Sequence, residues 1–161
     1  MKRLIIFIVL STLAGIACQA QTVEQADSLH QRGRELVSKG RIAEGRECTR
    51  QAMEIRKRLL GEVSEDYITS LNNYALTYSL EENYAEALKW QEIVMSLCEK
   101  LPSPHPNLAQ YATNMGGDCY FTGHLREAAK YWEMALPLVE KFSERYEQLL
   151  SCLGGVYNEL G

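Results

Sequence analysis

The sequence is poor in proline, histidine and cysteine, and it carries no excess of positive charge. Four prolines and 11 glycines in 161 residues are too few for a disordered or collagen-like chain. Five scattered cysteines, without any C-x-x-C spacing, exclude a small scaffold held together by disulfides. The 17 basic residues against 21 acidic ones give a net charge of -4, which excludes the basic footprint of a nucleic-acid binder. What is present, 46% apolar and 24% charged residues, suits a globular chain long enough to bury a core.

The one apolar run, Leu4 to Ala17, follows the basic start Lys2-Arg3 and falls short of the ~20 residues of a membrane-spanning helix. Residues 1–20 read as a secretory signal peptide, which places the mature protein in the periplasm or outside the cell. Two processing routes stay open. Cleavage after Ala20 would release a soluble chain, whereas Gly15-Ile16-Ala17-Cys18 resembles a lipoprotein signal that would anchor the protein to a membrane through Cys18. On the first route Lys2 and Arg3 are lost, leaving 15 basic residues against 21 acidic ones.

An internal repeat organises the rest. Ile42, Tyr84 and Leu125 stand 42 and 41 residues apart, and so do the small residues Gly45, Ala87 and Ala128. Twelve residues before each small residue lies another: Gly33, Ala75 and Gly116. Gly154 opens a fourth copy. Upstream of each turn the apolar residues fall at helical spacing, as in Leu71, Tyr74, Ala75 and Tyr78; downstream, Tyr84, Ala87, Leu88 and Val94 form a second stripe. Each copy therefore predicts a pair of antiparallel helices that approach closely where both carry a small residue. The aromatic at the turn is expected to fill the space between them. Glu44, Glu86 and Glu127 fall in the first turn of each second helix, where a carboxylate meets the positive end of the helix dipole. Asn83 and Glu86 have the spacing of a capping box.

These residues resemble the tetratricopeptide repeat, whose two small positions match Gly33/Gly45, Ala75/Ala87 and Gly116/Ala128. The period of about 42 is longer than the ~34 usual for that family and is similar to that of the kinesin-light-chain subclass. The segments Ser70-Leu71-Asn72-Asn73-Tyr74-Ala75 and Ser103-Pro104-His105-Pro106 carry the same likeness. The resemblance implies an all-α fold, a right-handed α-solenoid of helical hairpins over residues 25–161. Its repeats would span about 25–62, 66–103 and 107–142, with a partial fourth at 146–161. In register Gly161 falls at the turn position of Gly40 and Gly123, so the chain reads as the N-terminal piece of a longer array.

Signals of catalysis are weak. His30, His105 and His124 are dispersed with no ligand spacing around them, and His105 and His124 read as solvated loop residues. There is no phosphate loop and no nucleophile elbow. Cys48, Cys98, Cys119 and Cys152 read as isolated small apolar side chains, with a disulfide between Cys119 and Cys152, on neighbouring first helices, as the open alternative in an exported chain; close helix packing explains at least the first glycine of Gly116-Gly117 and Gly154-Gly155. The expectation is a protein without enzymatic activity, cofactor or metal.

The resemblance instead implies a concave groove lined by the first helix of every hairpin. Carried over residue by residue, its candidates are Arg34, Asn72, Asn73, Leu76, Thr113, Asn114, Tyr120 and Asn158. Asn73 and Asn114 occupy equivalent positions, and side-chain amides both donate to and accept from an extended peptide. Only Arg34 adds positive charge, which argues against a Lys/Arg clamp for C-terminal carboxylates. The expected partner is a protein or peptide, with no nucleic acid and no small-molecule substrate. The alternative is the extracytoplasmic sensor portion of a larger membrane signalling protein.

Overall fold

A computed structural model describes residues 22–161; residues 1–20, expected to be a signal peptide, and with them Cys18, lie outside the described residues. Seven α-helices follow one another without a strand among the described residues. They are α1 (Val23–Ser38), α2 (Ile42–Leu60), α3 (Glu65–Ser79), α4 (Tyr84–Cys98), α5 (Leu108–Phe121), α6 (Leu125–Ala135) and α7 (Glu144–Leu160). A short 3-10 turn, Leu136–Leu138, follows α6, where Pro137 cannot continue the α-helical hydrogen bonding. Each helix packs mainly on its neighbours in sequence, and among the first helices α3 also touches α1 and α5. That is the layout of stacked hairpins.

The three hairpin turns are built alike. Arg41 N–H donates to Leu36 O at 2.9 Å, Asn83 N–H to Tyr78 O at 3.0 Å, and His124 N–H to Cys119 O at 2.8 Å. This wrap-around bond needs a left-handed residue just before the donor. Gly40 and Gly123 supply it at φ 76° and 81°, and in the middle hairpin Glu82 is held there at φ 59°.

Small residues set the helix separation. A Cβ on Gly45 would lie 2.7 Å from Gly33 O, and one on Gly116 would lie 2.5 Å from the Trp132 ring. Ala75, Ala87 and Ala128 are fully buried. Thr49, an unusual residue for its repeat position, is buried where Gly33 leaves room and donates to Gly45 O at 2.9 Å. Gly154 differs from the other members of its series: nothing described lies within 4 Å of its Cβ position. One apolar core runs from Tyr67 to Val156, and a smaller one, Ala26, Ala52 and Ile55, closes the first hairpin.

Several local expectations are revised. The capping box forms at Thr22 and Gln25 on α1; at α4, Asn83 Oδ1 accepts from Glu86 N–H at 3.4 Å, but the Glu86 carboxylate turns to Lys89 instead. Tyr84, expected between its own two helices, reaches the next hairpin. There it stacks on Phe121, with ring centroids 4.6 Å apart. His105 is buried against the start of α3, not solvated: its Nε2 lies 3.2 Å from Glu65 O and its Nδ1 accepts from Asn107 N–H at 3.0 Å. The four described cysteines are free thiols; Cys98 and Cys119 are buried, which pushes both up to about 11.

Candidate functional site

The first helices of three hairpins enclose a cavity of about 410 Å³. From α1 it receives His30 and Arg34, one turn apart; from α3, Asn73 and Leu76; and from the start of α5, Asn107, Gln110 and Tyr111. The wall is a mixture of amides, hydroxyls and aliphatic carbon. Arg34 is exposed, forms no ion pair with another described residue, and is the one side chain of the lining with a fixed charge.

A polar seam runs beneath this wall. Arg56, only 6% exposed, reaches from α2 to pair with Asp27 of α1 at 2.6 Å and to donate to Ser70 Oγ of α3 at 2.7 Å and to Asp66 O at 3.1 Å. Both hydrogens of its Nη1 are thereby committed. Across the seam, Asn73 Nδ2 lies 3.0 Å from His30 Nε2, which therefore accepts, leaving the ring proton on Nδ1, 3.4 Å from Ser70 Oγ. Burial, and then the charges of Arg56 and Arg34, hold His30 down to about 4, so the ring is neutral near pH 7.

The seam continues to the third hairpin. Asn72 Oδ1 accepts from Gln91 Nε2 at 3.3 Å and from Asn114 Nδ2 at 3.1 Å. Further along α5, Asp118 is 3% exposed with Oδ2 unpartnered, and burial pushes its carboxyl up to about 6.

The residues expected in the groove thus divide. Arg34, Asn73 and Leu76 come together in the cavity wall. Asn72 lies against the cavity but is 1% exposed, with its amide spent inside the protein, so it supports the wall and offers no group to a ligand. Asn114 donates to Asn72, Thr113 Oγ1 donates to Ala109 O of its own helix at 2.7 Å, and Tyr120 donates to Glu159 of α7 at 2.5 Å. These three and the exposed Asn158 lie outside the cavity lining. Thr69, Asn107 and Tyr111 also line the wall and are not among the expected residues, nor are Val37, Ser38, Thr49, Thr77 and Leu80. The signal for the first three was the Pro104-His105-Pro106 loop, whose buried histidine sets the start of α5.

Among the described residues no group of three or more His, Cys, Asp or Glu side chains is placed to hold a metal, and no helix is long and apolar enough to cross a membrane. The fold and the cavity together define an α-solenoid with a ligand-sized hollow on the face of its first helices. The tetratricopeptide repeat model matches residues 24–92 and 69–141, and the chain belongs to that family. No curated protein matches it in sequence.

Solved structures share the fold at low identity. BtubC (BKLC) from P. vanneervenii is similar at 19% identity and a TM-score of 0.75, over 88% of this chain and 59% of that one. A Podosopora anserina putative kinesin light chain with nearly identical TPR-like repeats has 18% identity and a TM-score of 0.70, over 95% and 74%. The first TPR of Spaghetti (RPAP3), solved bound to the HSP90 peptide SRMEEVD, has 17% identity and a TM-score of 0.68, over 88% and 98%.

Proposed function

We propose that this protein is an exported scaffold that binds an extended peptide segment of a partner protein along the face of its first helices. The observation that carries the reading is the cavity spanning three hairpins, whose amides and hydroxyls suit a peptide backbone while Leu76 supplies an apolar surface. A solenoid suits the task because each added hairpin lengthens one continuous surface. The peptide seen on the similar RPAP3 repeat supports the reading. Export rests on the signal-like residues 1–20, and mass spectrometry of the N-terminus after expression in a bacterium tests it. A chain starting at Gln21 or at a lipidated Cys18 supports export; an uncleaved Met1 overturns it.

The binding test is a titration of the chain against a fluorescent random peptide library. Arg34→Gln combined with Asn73→Ala, in protein that retains its helical circular dichroism, is expected to weaken binding at least tenfold. Unchanged affinity would remove the cavity from the function.

A further inference from the structure

A second cavity, of about 420 Å³, lies on the other side of the start of α5. It is formed between Pro106, Ala109 and the segment that links α6 to α7, from Leu138 to Arg145. Asn107 and Gln110 line both hollows, so the two adjoin at the start of α5, and a trough taken across both would run obliquely from Arg34 on α1 to the start of α7. The ends differ in charge. The first cavity has Arg34 and no carboxylate in its lining, whereas the second is lined by Glu140, Glu144 and Arg145, with Lys141 exposed in the same segment.

We infer that the ligand of this protein is a peptide that occupies both cavities, with an acidic residue at Arg34 and a basic residue near Glu140 and Glu144. This rests on the peptide-binding reading above and adds the length and charge pattern of the partner. Three helix-to-helix steps of about 8–10 Å separate α1 from α7. In repeat register Arg34 also lies about 16 Å further along its helix than Glu144 does along α7, so an extended chain covers the oblique span in roughly nine to ten residues. Asn107 and Gln110, at the divide, are the groups placed to hold the middle of the peptide backbone. Charge complementarity of this kind sets partner choice and register more than raw affinity. A peptide confined to the first cavity would leave the acidic end of the trough unused.

The experiment is selection of a phage-displayed library of random dodecamers on the whole chain at low salt. Selected sequences are expected to carry Asp or Glu and Lys or Arg about seven to ten positions apart. Glu140→Gln with Glu144→Gln should abolish the basic preference and weaken the selected peptides about three- to tenfold, while leaving the acidic preference. Arg34→Gln should do the reverse. Enriched peptides without a basic position, or insensitive to the Glu140/Glu144 change, overturn the two-cavity inference and leave the peptide-binding reading standing. No enrichment of any peptide overturns both.

Discussion

Asn114 donates from its side-chain amide to Oδ1 of Asn72, 3.1 Å away and one repeat earlier, so the two amides join α5 to α3 behind the cavity wall. Gln91 donates to the same oxygen from α4. A single buried acceptor therefore holds three helices in register. Replacing Asn72 by Ala would strand two donors, and an unsatisfied buried donor costs about 1–3 kcal/mol. Asn72→Ala is expected to lose that much in urea denaturation. Asn114→Ala should lose clearly less, because Gln91 still satisfies Asn72. Equal losses would show that the oxygen is not the hub.

The glycines make opposite predictions at two positions. A methyl on Gly45 would lie 2.6 Å from Val37 Cγ2 and 2.7 Å from Gly33 O, a backbone atom that cannot swing away. Gly45→Ala should destabilise by about 1–3 kcal/mol, the usual cost of overpacking. Gly154→Ala meets open space in the interior of α7 and should stabilise by about 0.5–1 kcal/mol through helix propensity. Thermal melts of the two variants should move in opposite directions.

Glu82 is the exception among the three turns, a side-chain-bearing residue at φ 59° where the other hairpins use glycine. The left-handed conformation costs a non-glycine residue about 1–2 kcal/mol, partly offset by the greater freedom glycine gives the unfolded chain. Glu82→Gly is expected to raise the urea midpoint by a margin equivalent to roughly 0.5–1 kcal/mol. A lower midpoint would mean that the exposed Glu82 side chain makes a contact that outweighs the strain.

Asp118 gives a pH-dependent prediction. Its carboxyl rises from an ordinary value of 3.8 to about 6 because burial penalises the charge, and the nearby Ser79 hydroxyl offsets this only in part. The folded protein then holds the proton more tightly than the unfolded chain. The stability this contributes is complete below about pH 4 and is lost as pH rises through about 6. Asp118→Asn should therefore be the more stable protein at pH 7.5, by about 1–3 kcal/mol, with its advantage shrinking toward pH 4. Urea denaturation at the two pH values checks the sign. A constant difference between them would assign the effect to packing.

The repeat register was legible because helix crossings leave one rule that sequence cannot hide: where backbones approach, side chains must be small. Gly33, Gly45, Ala75, Ala87, Gly116 and Ala128 display it directly. The cavity was legible in part. Arg34, Asn73 and Leu76 follow from the family resemblance, carried over position by position, but a position in a repeat does not reveal whether a polar side chain spends its hydrogen bonds inside the protein, as Asn72 and Asn114 do. His105 was misjudged because flanking prolines mark a loop without saying what covers it. Arg56 gave no signal, since a charged residue in an amphipathic helix reads as exposed until its partners Asp27 and Ser70, on two other helices, are placed.

Arg56 has a consequence for how the array comes apart. Stacked repeats often melt like beads on a string, each hairpin releasing in turn, because only nearest-neighbour contacts bind them. Here one enclosed guanidinium grips Asp27 in its own hairpin and Ser70 and the Asp66 carbonyl in the next. Releasing the first hairpin would tear a charge out of its shell and leave Ser70 and Asn73 of α3 without their partners. The first two hairpins should accordingly melt together as one thermodynamic unit, and the fraying that solenoids ordinarily show at an end should stop short of the cavity.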